Sequence, residues 1–180
     1  MADEHAIPDE VMKLHAYIEN MKQDSDRGAV LSVSAALEDR LKEIILSFLR
    51  DNKSSTELLD GFNAPIGTFS AKILMAHALA LITDKEYKEI QTLRKIRNRF
   101  AHSWENINFE TNDIKAMLYT LPVIGLSPEE KLNSRTYFYN WASVFLARLL
   151  WRNQFCVKEK RQVTEFDNLS KVIDNNPHLL

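Results

Sequence analysis

Between Val30 and Phe48 the apolar residues Val30, Val33, Leu37, Leu41, Ile44, Ile45 and Phe48 recur three and four positions apart. That period matches the 3.6-residue turn of an α-helix and not the two-residue alternation of a strand, so the segment predicts a long core-facing helix. The rest of the chain offers little to interrupt such elements. Only four glycines and five prolines occur in 180 residues, too few breakers for many short strands and tight turns. The fold class expected is therefore all-α, a single bundle of about six or seven helices.

The remaining helices follow from starts and periods. A first helix is expected from Pro8, carrying Val11, Leu14, Ile18 and Met21 on one face. Asp24 to Gly28 breaks it and offers N-cap candidates for the long helix, which is expected to end near Asp51-Asn52. Ser54 and Glu57 have capping-box spacing for a short turn; Gly61, Pro65 and Gly67 then mark a loop. Thr68 or Ser70 opens a third helix, expected to run through FSAKILMAHALALI. Thr83 and Glu86 form a capping box for a fourth helix, with Ile82 and Tyr87 placed as a hydrophobic staple and Ile90, Leu93, Ile96 and Phe100 facing inward. A short helix is expected from Asp113 to Tyr119. Ser127-Pro128-Glu129-Glu130 is read as the start of a long last helix carrying Phe138, Trp141, Phe145 and Leu149. Lys158 to Ile173 has a weaker period. The whole chain, 1–180, is expected to form one domain, with 1–7 and 174–180 as flexible tails.

Charge limits function. The formal net charge is −2, whereas a dedicated DNA-binding domain carries a clear basic excess because phosphate contacts supply most of its affinity. A nucleic-acid role would have to rest on a local patch. The opening MADEHAIPDE is acidic and lacks the order of a signal peptide, and no apolar run approaches the roughly 18 to 20 residues a membrane span needs. A cytoplasmic protein without membrane contact is expected. The single Cys156 cannot make an internal disulfide and is read as a small buried hydrophobe. No zinc-type ligand spacing or glycine-rich phosphate loop is present, so neither metal nor cofactor is expected.

Two stretches, DRGAVLSVSAALEDRLKEIILSFL (Asp26 to Leu49) and NAPIGTFSAKILMAHALALITDKEYKEIQTLRKIRNRFAHSW (Asn63 to Trp104), in that order and spacing resemble the mannitol operon repressor family. The family-like core extends over about 26–154, more loosely in the C-terminal helices. The resemblance implies a helical regulator of sugar-operon expression that lacks a recognisable helix-turn-helix, acting through a regulatory protein partner or nucleic acid. No helix suited to a major groove stands out here either.

The most pointed chemistry lies in Arg94, Lys95, Arg97 and Arg99, followed by Phe100, Ala101 and His102. Arg94, Lys95 and Arg99 are candidates for phosphate or partner binding. The string RNRFAH also resembles the Arg-x4-His motif of the HEPN superfamily, many of whose members are dimeric, metal-independent endoribonucleases. On that reading His102 would act as proton acceptor, Arg97 would hold the phosphate and Asn98 would keep the geometry. Five residues turn an ideal helix by roughly 500°, so Arg97 and His102 would lie about 140° apart unless the helix frays or two subunits meet. The bland reading makes these residues a charged helix end that suits the helix dipole, with Arg97 paired to Glu38 or Asp39. Met75, His77 and Leu79 are read as surplus apolar surface for a homodimer. Arg148, Arg152, Lys158, Lys160 and Arg161 are read as a solvated basic face. Two function classes therefore stand: a non-catalytic regulator, and a ribonuclease.

Overall fold

The computed structural model describes residues 9–162, and within them the chain is all helical. The helices are α1 (Asp9–Met21), α2 (Asp26–Phe48), α3 (Lys53–Leu59), α4 (Phe69–Ala78), α5 (Asp84–His102), α6 (Asn112–Leu118) and α7 (Ser134–Lys158), with one 3₁₀ turn at Glu130–Leu132. Pro8, the two tails and most of the segment from Lys158 to Ile173 lie outside the described residues.

Helix α2 is the axis of the bundle. Ser25 caps it, its hydroxyl accepting from the Gly28 N–H at 3.1 Å. The periodic residues Val30, Val33, Leu37, Leu41, Ile44 and Ile45 are all fully buried, and α1, α3, α4, α5 and α7 each pack against α2. The aromatic layer comes from α7 and the loop before α6: Phe138, Trp141 and Phe145 bury completely, with Phe109 set against Phe138 at 4.8 Å between ring centres. Cys156 is buried as well, and burial pushes its thiol up from its ordinary range.

Several element ends differ from expectation, each for a local reason. Helix α2 stops at Phe48, with Leu49 already extended. Helix α3 is capped by Asn52, whose side-chain oxygen accepts from the Ser55 N–H at 2.9 Å, in place of the expected Ser54–Glu57 box. The Ser127–Glu130 box does form, each backbone N–H reaching the other side chain, but it leads only into the 3₁₀ turn. The long helix starts again at Ser134, because Asn133 is extended and caps the Thr136 N–H at 2.8 Å.

The third expected helix also ends early, at Ala78 instead of Ile82. The Ala80 N–H donates to His77 O at 3.0 Å and the Leu81 N–H to Ala76 O at 2.9 Å, the paired bonds of a Schellman stop. Ala80 takes the left-handed position of that stop, with φ +56°. The turn drops Leu81 and Ile82 into the core and delivers Thr83 to cap α5. A glycine would occupy Ala80's conformation without the Cβ clash. Ala80→Gly is therefore expected to raise stability by about 0.5–1 kcal/mol, net of glycine's greater freedom when unfolded, read as a higher urea midpoint.

The buried thiol gives a second check. Cys156 is expected to react with an aromatic disulfide reagent many times more slowly in the native protein than in urea. Equal rates in both would contradict its placement.

Candidate functional site

The basic segment lies on α5, and how α5 is held decides which way its charges point. The capping box at its start is complete: Thr83 Oγ1 accepts from the Glu86 N–H at 3.2 Å, and Glu86 Oε2 accepts from the Thr83 N–H at 2.8 Å. Glu86 is also fully buried and receives Arg152 of α7 at 2.6 and 2.8 Å. One helical turn on, buried Glu89 accepts from Trp141 Nε1 at 2.8 Å and from Arg148 at 3.2 Å. Arg148 and Arg152 thus reach inward to two buried carboxylates, correcting the expectation that they belong to a solvated basic face. A carboxylate left in that seam without its cation would be costly, so Arg152→Ala is expected to lower stability by about 2–4 kcal/mol in chemical denaturation.

With Glu86, Glu89, Ile90, Leu93, Ile96 and Phe100 turned inward, the cationic residues of α5 fall on its outer sides. Lys95, Arg97 and His102 are exposed, while Arg94, Asn98 and Arg99 are half-buried. Arg99 donates to Asp113 of α6 at 2.7 Å, tying α5 to α6. The hydrogen bond from Arg99 holds the Asp113 carboxyl below its ordinary range. Because that group is depressed on folding, the link is fully present above the ordinary carboxylate pKa and is lost as pH falls through the depressed value.

The three residues of the Arg-x4-His string are only partly brought together. Arg97 Nη1 donates to Asn98 Oδ1 at 3.2 Å. Helix α5 remains helical through His102, so within one chain Arg97 and His102 stay about 140° apart round its axis. Nor does Arg97 pair with Glu38, as the bland reading expected. Glu38 is taken by Lys72 of α4, whose buried ammonium lies 2.6 Å from Glu38 Oε1 and 2.7 Å from Gly67 O.

Arg94, Arg97 and Asn98 instead line a recess of about 420 Å³ with Glu38 and the start of α4, namely Thr68, Phe69 and Ser70. Sequence reading missed this convergence, since nothing in the local pattern says that the first turn of α4 faces the middle of α5. It also missed Trp104, which stands 94% exposed just past the end of α5. The loop that bears Trp104 is fastened by Arg27, which donates to Ser103 O and Glu105 O at 2.9 and 3.3 Å. Met75 and Leu79 pack on the core, and His77 stacks on Tyr87 at 4.2 Å while meeting Asp84 at 2.8 Å. All three are half-buried and so present part of their surface to solvent, while Leu74 is the exposed large apolar residue of α4.

Among the described residues no helix is long and apolar enough to cross a membrane, and no group of histidine, cysteine and carboxylates gathers as a metal site.

The fold has a solved counterpart. The chain is similar to one in the X-ray structure of the MtlR–HPr complex from Escherichia coli, with a TM-score of 0.54 and 17% sequence identity. The likeness covers 82% of this chain and 98% of the other, and at that identity it is a likeness of fold. The expected resemblance to mannitol operon repressors is met at this level. No protein-family model and no curated protein matches the sequence.

Proposed function

We propose that this protein is a non-catalytic regulator that works by binding another protein, in the manner of a mannitol operon repressor without a helix-turn-helix. The observation that carries the reading is the near-complete overlap with a chain from a protein–protein complex, 98% of which is covered by this fold. A relative of HPr, the second protein of that complex, is the first partner to try.

The surface supports an interaction role. Large apolar side chains stand out at Trp104, Phe62, Leu74 and Phe155, all well over half exposed. Such residues are common singly, but aromatic groups beside charged ones are what protein interfaces use as anchors. Lys95 and Arg99 on α5 are assigned to partner contact, with Trp104, exposed just past the end of α5, as an aromatic anchor. Self-association belongs to the same reading: Leu74 on α4 and Phe155 on α7 give apolar surface for a homodimer.

A titration of purified HPr into the protein tests the partner reading. Binding is expected in the parent, and Lys95→Glu and Trp104→Ala are each expected to weaken it about tenfold or more, a change of about 1.4 kcal/mol or more, without changing the melting temperature. Light scattering is expected to return twice the chain mass. Metal-independent cleavage of RNA by the parent, lost in a folded His102→Ala variant, would overturn the non-catalytic reading and make the protein a ribonuclease.

A further inference from the structure

The recess between α5 and the start of α4 has a composition that partner binding on the outer face of α5 does not explain. Arg94 and Arg97 sit three residues apart on α5, where side chains are neighbours and like charges repel. Placing two guanidinium groups together costs stability unless something negative lies between them. Within the described residues neither has a carboxylate: Arg94 Nε donates to Gln91 Oε1 at 2.9 Å, and Arg97 to Asn98. Arg40, Arg99, Arg135, Arg148 and Arg152 each pair with an acid, whereas Arg27 reaches backbone carbonyls instead; Arg94 and Arg97 are distinct in lying together on one recess.

A carboxylate does line the same recess, and it is already engaged. Glu38 faces it, yet the Lys72 ammonium at 2.6 Å takes its charge, and Lys72 is buried with its side chain only 7% exposed. Among the lining residues Arg94 and Arg97 outnumber Glu38, and Lys72, which does not line the recess, offsets that carboxylate by pairing with it. Thr68 and Ser70 bring hydroxyl groups to the wall, their oxygens 3.2 Å apart. The remaining lining residue, Phe69, is apolar.

We propose that this recess is a binding site for a phosphomonoester, with Arg94 and Arg97 holding the phosphate oxygens and Thr68, Ser70 and Asn98 supplying neutral donors. Two planar guanidinium forks converging on one space suit a dianion with three free oxygens better than a single carboxylate. The amino-terminal turn of α4 on the opposite wall adds partial positive charge in the same sense. A volume of about 420 Å³ admits a phosphate together with a small organic body. The phosphate could arrive on a small metabolite or on a modified side chain, and the recess recognises the chemistry common to both. The site stands apart from the partner reading, since Lys95 projects about 160° round the helix from Arg97.

The test is a calorimetric titration of the full chain at fixed ionic strength with three probes: inorganic phosphate, glycerol 3-phosphate and a phosphoserine peptide. Saturable binding of at least one is expected, weakened tenfold or more in Arg94→Gln and in Arg97→Gln, with both variants melting like the parent. Arg97 is exposed, so its variant keeps the test open should Arg94→Gln misfold. Lys88→Gln removes the same charge from an exposed position about 180° round the helix from Arg97 and is expected to bind like the parent. Tighter binding of glycerol 3-phosphate than of the peptide would assign the site to a small metabolite, and the reverse order to a phosphorylated protein. No binding of any probe by the folded parent, or an equal loss in Lys88→Gln, would overturn the proposal. HPr is titrated separately, so failure of either result leaves the other standing.

Discussion

The bundle depends on the apolar stripe of one helix. Helix α2 buries Val30, Val33, Leu37, Leu41, Ile44 and Ile45 completely, and its neighbours α1, α4, α5 and α7 are arranged round it. Full burial of each such side chain contributes about 1.5–3 kcal/mol, more than any surface ion pair in the molecule. The first turn of α2 is fastened too. Asp26 accepts from Arg135 of α7 at 2.5 Å and from the Phe109 N–H at 2.9 Å, while Arg135 also donates to the carbonyls of Lys22 and Asp24. The end of α1, the start of α2, the loop before α6 and the start of α7 are thereby held at one point.

The seam between α5 and α7 follows a different rule. Here the buried groups are Glu86 and Glu89, met by Arg152, Arg148 and the Trp141 indole. Buried carboxylates are tolerated only when cations and hydrogen bonds replace the water they lose. This arrangement sets the rotation of α5, and that rotation puts Lys95, Arg97 and His102 outside. The outward charge of α5 is thus a consequence of the inward charge of its first turns.

Two chemically different surfaces result from one basic stretch. Lys95 faces solvent, whereas Arg94 and Arg97 border the recess closed by Glu38 and the start of α4. Lys72 is what keeps Glu38 from neutralising those arginines. The same segment presents charge to solvent on one side and to the recess on the other, because α5 turns successive residues by about 100°.

Much of this was legible in the sequence, where the information is local. The all-helical class, the inward stripe of α2, the Thr83–Glu86 box and the inward residues of α5 follow from a 3.6-residue period and from hydrogen bonds spanning three residues. Element ends were less legible where backbone geometry overrode composition: Ala80 adopts a conformation usual for glycine, and Asn133 interrupts what Ser127 begins. Long-range partners could not be read at all. Arg152 finds Glu86 across 66 residues and Lys72 finds Glu38 across 34, and neither pairing leaves a periodic trace. The sequence by itself determined which residues are charged and which helices carry them. Only the tertiary structure decided which of those charges are neutralised inside and which remain free to hold a ligand, because burial and distance belong to the packed chain.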